Sequence, residues 1–408
     1  MENGKMKMEN GKLKTYKLRE LLEIKNGRDH KKLKDGIYPV YGSGGIMRYV
    51  DSFLYDKPSV LLPRKGTLDN IQYADRAFWT VDTIYYTEVN SEKVNAYYLY
   101  NYLKLLDLSN LDSGTGVPSM TFDSYYNLNV KLPPLPTQQK IAAVLSALDD
   151  KIALNRRINA KLEQMAKRLY DYWFVQFDFP FDFAQGKPNA DGKPYKASGG
   201  KMVWNETLKR EIPAGWEVGN LVENRLTEII KPGIAKFLKK KNYLATANIV
   251  GSDITDGLWI EFENRESRAN MQPIYNSVWF AKMKNSIKHL SITNSDTWVL
   301  DKYILSTGFL GLKCSRESFA YIHSFINYSS FEGIKDTLAH GATQQAVNNE
   351  DLKSIPLLIP SKNVLVSYSN IVLPMIQKMN GLQQMNAKLT ALRDRLLPLL
   401  MNGQVEVE

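Results

Sequence analysis

The sequence predicts an α+β protein: two α/β globular heads joined by two long coiled-coil helices, arranged as a pseudo-two-fold internal duplication. Three observations predict it. The chain repeats itself at a shift of 227 residues, each repeat ends in a long heptad-patterned stretch, and the remainder alternates short β-branched or aromatic runs with turns.

The repeat is clearest near the end of each half. Asn159-Ala-Lys-Leu162 falls on Asn386-Ala-Lys-Leu389, and Arg168-Leu169 falls on Arg395-Leu396. Upstream, Gly114 meets Gly341, Pro133 meets Pro360, and Leu128, Val130 and Leu132 meet Ile355, Leu357 and Ile359. Each repeat therefore closes with a Gly-containing loop, a short strand ending in Pro and a long helix. Heptad core positions fall at Ile141, Leu145, Leu148, Ile152, Asn155, Asn159, Leu162, Ala166 and Leu169. The shifted seam reads Tyr368, Val372, Met375, Met379, Leu382, Asn386, Leu389, Arg393 and Leu396. Alternating steps of four and three mark a coiled-coil seam, and an Asn at 159 and at 386 would set its register. Two ordinary amphipathic helices are the competing reading, but residues 137–172 would extend roughly 54 Å at ~1.5 Å per residue, more than a small domain needs. Pro374 and Gly381 predict a second helix that kinks or starts late. The helices could pair either way. Duplicated halves that mimic a symmetric dimer would run them antiparallel, with one head at each end of a rod.

In the first head, Ile37–Tyr41 and Ser59–Leu62 read as strands, Phe78–Tyr86 as one aromatic, β-branched strand, and Asn95–Leu106 as a helix. The second head opens at Ile212-Pro-Ala-Gly-Trp216 and carries a strand over Tyr243–Val250. Its middle shares no clear identities with the first: Ser306–Leu310 falls on Trp79–Thr83 without matching it. Phe177–Lys209, rich in Gly-Lys-Pro and Ser-Gly-Gly, reads as an irregular connector.

Composition narrows the function. Fifty-three Lys and Arg against 43 Asp and Glu leave a net charge of +10, which favours a polyanionic partner. The lone Cys314 excludes multi-cysteine zinc modules and suits a reducing compartment. The polar N-terminus lacks the apolar core of a signal peptide, and no apolar run approaches the ~20 residues of a membrane span, so a cytoplasmic protein with no membrane partner is expected. The four histidines form no HExxH, and there is no phosphate loop and no GxSxG elbow. An amino-methyltransferase would carry an acid or amide before Pro-Pro-aromatic, whereas Leu132-Pro-Pro-Leu135 has neither. With no catalytic or metal residues to name, the chain reads as a recognition protein.

Candidate DNA contacts are the basic and polar loop residues. Lys31, Lys32 and Lys34 form one cluster, Arg64 and Lys65 another, and Lys239, Lys240 and Lys241 a third. For any one of them a solvated surface charge is the commoner reading. Arg64 stands out because the Gly-flanked turn Pro63–Gly66 lets backbone approach a phosphate. Ser43 and Gly44 sit in a Gly-rich turn, Thr307 in a polar turn, and Gln344 and Gln345 in the loop before the last strand, where Gln can read adenine.

These residues resemble a known family. Val130-Lys-Leu-Pro-Pro-Leu-Pro-Thr-Gln-Gln-Lys-Ile141, followed by Leu148-Asp-Asp-Lys-Ile152 and Asn155-Arg-Arg-Ile158, is similar to the central region of type I restriction–modification specificity subunits. Ile212–Trp216 resembles the entry to that family's second target recognition domain, and Leu392–Met401 with Asn402-Gly403 resembles its closing helix. Tyr38–Gly45, with Arg64–Gly66 and Phe78-Trp79, resembles one class of recognition domain. The resemblance implies an extension at 1–12, recognition domains at 13–135 and 212–360, helical spacers at 136–176 and 361–408, and a connector at 177–211. It implies a noncatalytic subunit that reads a split double-stranded DNA target, one half per head. Its helices would dock two modification (methyltransferase) subunits, and restriction subunits (translocase and nuclease) would join them. The chain itself would hold no cofactor; S-adenosylmethionine, ATP and Mg2+ would serve the partners. The rival class is a noncatalytic coiled-coil scaffold without specific DNA recognition.

Overall fold

The computed structural model describes residues 13–65, 69–108, 119–255, 257–342 and 344–407. Gly66 of the basic turn, Gly114 of the repeat and the extension 1–12 lie outside the described residues. Helices and strands are mixed throughout, in two compact units: Met1–Ala153 with Ala387–Glu408, and Leu154–Asn386.

Unit 1 opens with β1 (Lys14–Lys17), β2 (Leu22–Asn26), β3 (Asp35–Gly42), β4 (Gly45–Val50), β5 (Ser59–Pro63), β6 (Gln72–Ala74), β7 (Trp79–Thr80) and β8 (Ile84–Val89). Then come α1 (Ala96–Lys104), α2 (Phe122–Tyr126), β9 (Asn129–Leu132) and the start of α3 (Leu135–Tyr170). One sheet has the order β2-β8-β5-β6, all antiparallel; a second has the order β4-β3-β7, with β3 and β7 parallel; β1 pairs with β9. β5, Ser-Val-Leu-Leu-Pro, is buried at every position, as an unbroken apolar run of strand length predicts. Asn95 caps α1 by accepting the Tyr98 N–H, and Thr121 caps α2 by accepting that of Ser124. The core gathers Leu22, Val60, Leu62, Tyr98, Leu99 and Val130 with Ile141 and Leu145 of α3.

Unit 2 takes the rest of α3, a π-helical turn at Asp171–Val175, and short strands β10 (Pro180–Asp182), β11 (Lys187–Pro188), β12 (Lys193–Pro194), β13 (Met202–Asn205) and β14 (Arg210–Pro213). The connector is thus more regular than its turn-rich composition suggests. Phe179 stacks on Tyr195 and Trp216 and gives it an aromatic core. β15 (Glu217–Asn220), β16 (Thr227–Ile229), β17 (Lys241–Leu244), β18 (Ile249–Val250), β19 (Asp253–Ile254), β20 (Leu258–Ile260), β21 (Ala269–Met271), β22 (Ser277–Ala281) and β23 (His289–Ile292) follow. The unit continues with α4 (Thr297–Lys302), β24 (Tyr303–Ser306), β25 (Phe309–Cys314), α5 (Phe319–Ile326), α6 (Ser329–Leu338), β26 (Pro356–Ile359) and the larger part of α7 (Lys362–Met401). Its sheets have the orders β16-β25-β22-β23 and β20-β17-β24-β21, with β17 and β24 parallel, and β15 pairs with β26.

Two strands read from the sequence are broken. Phe78–Tyr86 is β7 and β8 separated by a turn at Val81–Thr83, so the chain passes from one sheet to the other. Tyr243–Val250 stops at Leu244, because the Asn248 side chain accepts the Ala245 N–H and folds the chain into a 3-10 turn. The second long helix neither starts late nor breaks: α7 runs unbroken for 40 residues through Pro374 and Gly381. Both residues are exposed, as is Asn370, whose carbonyl loses its intrahelical donor to the proline and can be solvated instead. No predicted seam position in either helix is exposed. Within unit 2, Asn155 donates to Asn386 at 2.8 Å and Asn159 donates to the Met379 carbonyl at 3.3 Å, so there the two helices run antiparallel. Within unit 1, Arg393 pairs with Asp149 at 2.7 Å.

Candidate nucleic-acid interface

In unit 1 the predicted contacts fall into two groups. Ser43 and Gly44 form the turn of the β3–β4 hairpin, followed by Gly45 at φ +119°, a conformation glycine permits. Gln72 donates to the Gly42 carbonyl at 2.8 Å, and Asn70 donates to the Ser43 carbonyl, which ties this turn to the loop that Arg64 opens. The Arg64 N–H donates to the Thr83 carbonyl at 3.0 Å, and its carbonyl accepts the Met120 N–H at 3.0 Å. Its guanidinium donates to the Asp82 carbonyl and lies 5.8 Å from the centre of the Tyr85 ring. Lys65 is exposed and bridges Ser119 through its backbone. Lys31, Lys32 and Lys34 are exposed at the far end of the hairpin, where Asp35 pairs with Val50. About 23 Å of strand, at ~3.3 Å per residue, divides them from Ser43 and Gly44.

Unit 2 places its candidates in the same two groups. Lys239 and Lys240 are exposed just ahead of β17, and Lys240 pairs with Glu261 at 3.2 Å. Lys241 is a correction: its ammonium donates to the Leu300 carbonyl at 2.6 Å and covers the Phe237 ring, so it is held inside the fold. Burial lowers its pKa, with Asp301 opposing. Thr307 lies at the other end, in the turn between β24 and β25, where its N–H donates to the Arg268 carbonyl at 2.9 Å. Gln344 and Gln345 are exposed, and the Gln345 carbonyl accepts the Lys284 N–H at 2.9 Å. The structure thus brings Gln344 and Gln345 against the strand end at Lys282–Lys284, and leaves Lys239–Lys241 at the opposite end of β17 from the Thr307 turn. Asn159 and Asn386, predicted as equivalent seam positions, do not face each other: Asn386 faces Asn155.

Lys282 is a residue the sequence reading missed. Its N–H donates to the Gly308 carbonyl at 3.0 Å, and its carbonyl accepts the Val347 N–H at 3.0 Å. These are the two bonds that Arg64 makes to Thr83 and Met120. The signal was present, since Ser59-Val60 leads to Arg64 as Ser277-Val278 leads to Lys282. That match falls at a shift of 218, not 227, so a fixed-shift comparison passes over it. Cys314 is buried, donates weakly to the Leu312 carbonyl, and has its pKa pushed up by burial, which makes it no nucleophile.

Among the described residues each unit therefore presents one arrangement: a cation ending a buried strand, a turn before the neighbouring strand that accepts its N–H, and a loop residue, Met120 or Val347, that donates to its carbonyl. Residues 10–164 match the type I restriction modification DNA specificity domain family. The chain is similar to type I restriction enzyme specificity subunits. It is 24% identical over 372 residues to the type I restriction enzyme MjaIX specificity subunit of Methanocaldococcus jannaschii, covering 87% of this chain and 79% of that one. It is 25% identical over 347 residues to the HindI specificity subunit of Haemophilus influenzae, covering 72% of each. In fold it is similar to the type I system S subunit of M. genitalium, with a TM-score of 0.58, 16% identity and 96% of both chains covered. The family match holds Lys31 to Lys65 and Asn159, while the second head's candidates lie beyond it. Among the described residues no helix is long and apolar enough to cross a membrane, and no group of three or more His, Cys, Asp or Glu could hold a metal ion.

Proposed function

We propose that this chain is the noncatalytic, sequence-specific DNA-binding subunit of a cytoplasmic type I restriction–modification complex, and that each head reads one half of a split duplex target. The observation that carries the reading is the recurrence of the cation, turn and loop arrangement, once in each unit. Cations pinned by their backbone position the duplex through phosphates, and the flanking Ser43-Gly44 and Gln344-Gln345 loops are placed to meet base edges. The two units descend from a duplication in this reading. The buried and half-buried seams of α3 and α7 form an antiparallel coiled coil that spaces the heads and docks two modification subunits, to which restriction subunits add. S-adenosylmethionine, ATP and Mg2+ act in those partners.

Methylome sequencing of cells that express the chain with its modification subunits tests the proposal. The expected result is one methylated motif in two parts with a fixed spacer. A methylome without a motif, or with a single unbroken one, overturns it, and duplex binding with no sequence preference favours the scaffold reading. The purified chain alone is expected to transfer no methyl group from labelled S-adenosylmethionine.

A further inference from the structure

We infer that Lys282 is a phosphate-contacting residue of the second head, acting from the place Arg64 occupies in the first; the inference rests on the proposed DNA-reading function. The two backbones are held alike. Each residue follows a buried five-residue strand, β5 or β22, donates to the turn before the next strand, and accepts from the loop before the long helix. The partners Met120 and Val347 are themselves 227 residues apart, so the loops correspond even where their sequences do not.

The side chains differ in what satisfies them. Other lysines at least half-buried in unit 2 have a partner. Lys335 pairs with Glu332, Lys241 and Lys288 donate to carbonyls, and Lys302 lies over two aromatic rings. The Lys282 ammonium, half-buried, has no acceptor, carboxylate or ring partner among the described residues. Burial lowers its pKa, and no carboxylate offsets this. A half-buried cation without an anion is unfavourable, and an anion supplied from outside relieves it. Lys284 is exposed two residues on, and Gln344 and Gln345 face this strand end, so the anion would arrive beside the loop proposed to meet bases. An ammonium is a point charge with no planar fork to orient, which suits a phosphate better than a base edge.

The test uses the full chain and two labelled duplexes, one with the methylome-defined motif and one with that motif scrambled, titrated across salt concentrations. Lys282→Gln should weaken binding to both duplexes and reduce the slope of log K against log salt by about one unit. Lys282→Arg should restore the slope, and Lys282→Gln with Arg64→Ala should lose about two units. Melting temperature checks that each variant is folded. An unchanged slope in folded Lys282→Gln overturns the inference, as does a loss confined to the motif duplex, which would make Lys282 a base reader. If the wild type binds both duplexes equally but Lys282→Gln still loses slope, the phosphate contact stands and sequence-specific reading fails. If the wild type binds neither, both fail.

Discussion

In the first head the four-stranded sheet runs β2-β8-β5-β6; in the second, one of two four-stranded sheets runs β16-β25-β22-β23. The cross-strand register is also shared. Leu62 faces Tyr85 and Pro63 faces Ile84, while Phe280 faces Leu310 and Ala281 faces Phe309. One step along this common ladder the interior is filled from opposite strands. In the first head Tyr86 of β8 packs in a cluster with Leu61 and Phe78. In the second, Trp279 of β22 is fully buried against Gly311 of β25. The two sheets share a pairing geometry while the bulk at this step sits on opposite strands, so like topology is met without like sequence.

The heads also differ in how they bury polarity. Among the described residues, every buried Asp, Glu, Lys and His lies in unit 2: His289, Asp296, Glu332 and Lys335. The polar interior of the first head is built from uncharged hydroxyls and amides, as where Ser59 donates to the Thr87 carbonyl at 2.7 Å. In the second, His289 meets Glu332 at 2.7 Å, and Lys335 meets the other Glu332 oxygen at 2.5 Å. Burial raises the Glu332 pKa, but the bonds from His289 and Lys335 outweigh it and hold the carboxylate below its ordinary range. Removing one member strands the others, so Lys335→Met should destabilise unit 2 by about 3–5 kcal/mol. Tryptophan fluorescence in urea can read this selectively, because six of the seven tryptophans lie in unit 2 and unit 1 has Trp79 alone. A Lys335→Met shift below 1 kcal/mol would mean the network contributes no more than the hydroxyls opposite.

The swapped aromatic gives the next largest effect. A Cβ on Gly311 would come within 2.5 Å of the Trp279 ring, which has nowhere to move. Gly311→Ala should cost about 2–3 kcal/mol by overpacking. Gly311→Ala with Trp279→Leu, a step towards the first head's arrangement, should recover part of that cost in a double-mutant cycle. Strict additivity of the two would mean that the slot is not shared.

What could be read from the sequence followed from spacing. β9 and β26 begin 227 residues apart, as do α3 and α7, so the fixed shift located these two strands and the long helices that follow them. Which positions of the long helices escape exposure was legible because heptad spacing needs no knowledge of the partner. The strand breaks were not. Val81-Asp82-Thr83 has no Gly or Pro to mark a turn, and the break at Ala245 depends on the Asn248 side chain folding back. Among the candidate contacts, Arg64 was visible as a basic residue beside a glycine. Lys282 was hidden by the change of shift, and Lys241 resembled its neighbours although its ammonium is turned inward to Leu300. Sequence shows a lysine's charge, and only packing shows which way it points.

The smallest of these effects is a pH dependence that should separate the units. His323 Nδ1 lies 2.7 Å from the Ser291 hydroxyl and the residue faces a cavity of about 360 Å3 within unit 2. Burial, and then the neighbouring His289, pushes its pKa down to about 3 from an ordinary 6.5. Between those values the unfolded chain binds a proton that the folded one refuses, so stability rises with pH across that window and falls on acidification. From pH 7 to pH 5 unit 2 should lose about 1–2 kcal/mol, with the tryptophan-reported urea midpoint moving down. Glu332 does not contribute there, because a depressed carboxylate loses its stabilising effect only below its unfolded pKa, near 4.5. His323→Gln, which cannot titrate, should flatten the unit 2 profile between pH 5 and 7. The same acidification should barely move a far weaker signal from Trp79, since unit 1 holds a single histidine, His30. Parallel loss in both units would place the titrating group elsewhere, and a profile in His323→Gln as steep as the wild type's would exclude His323 as its source.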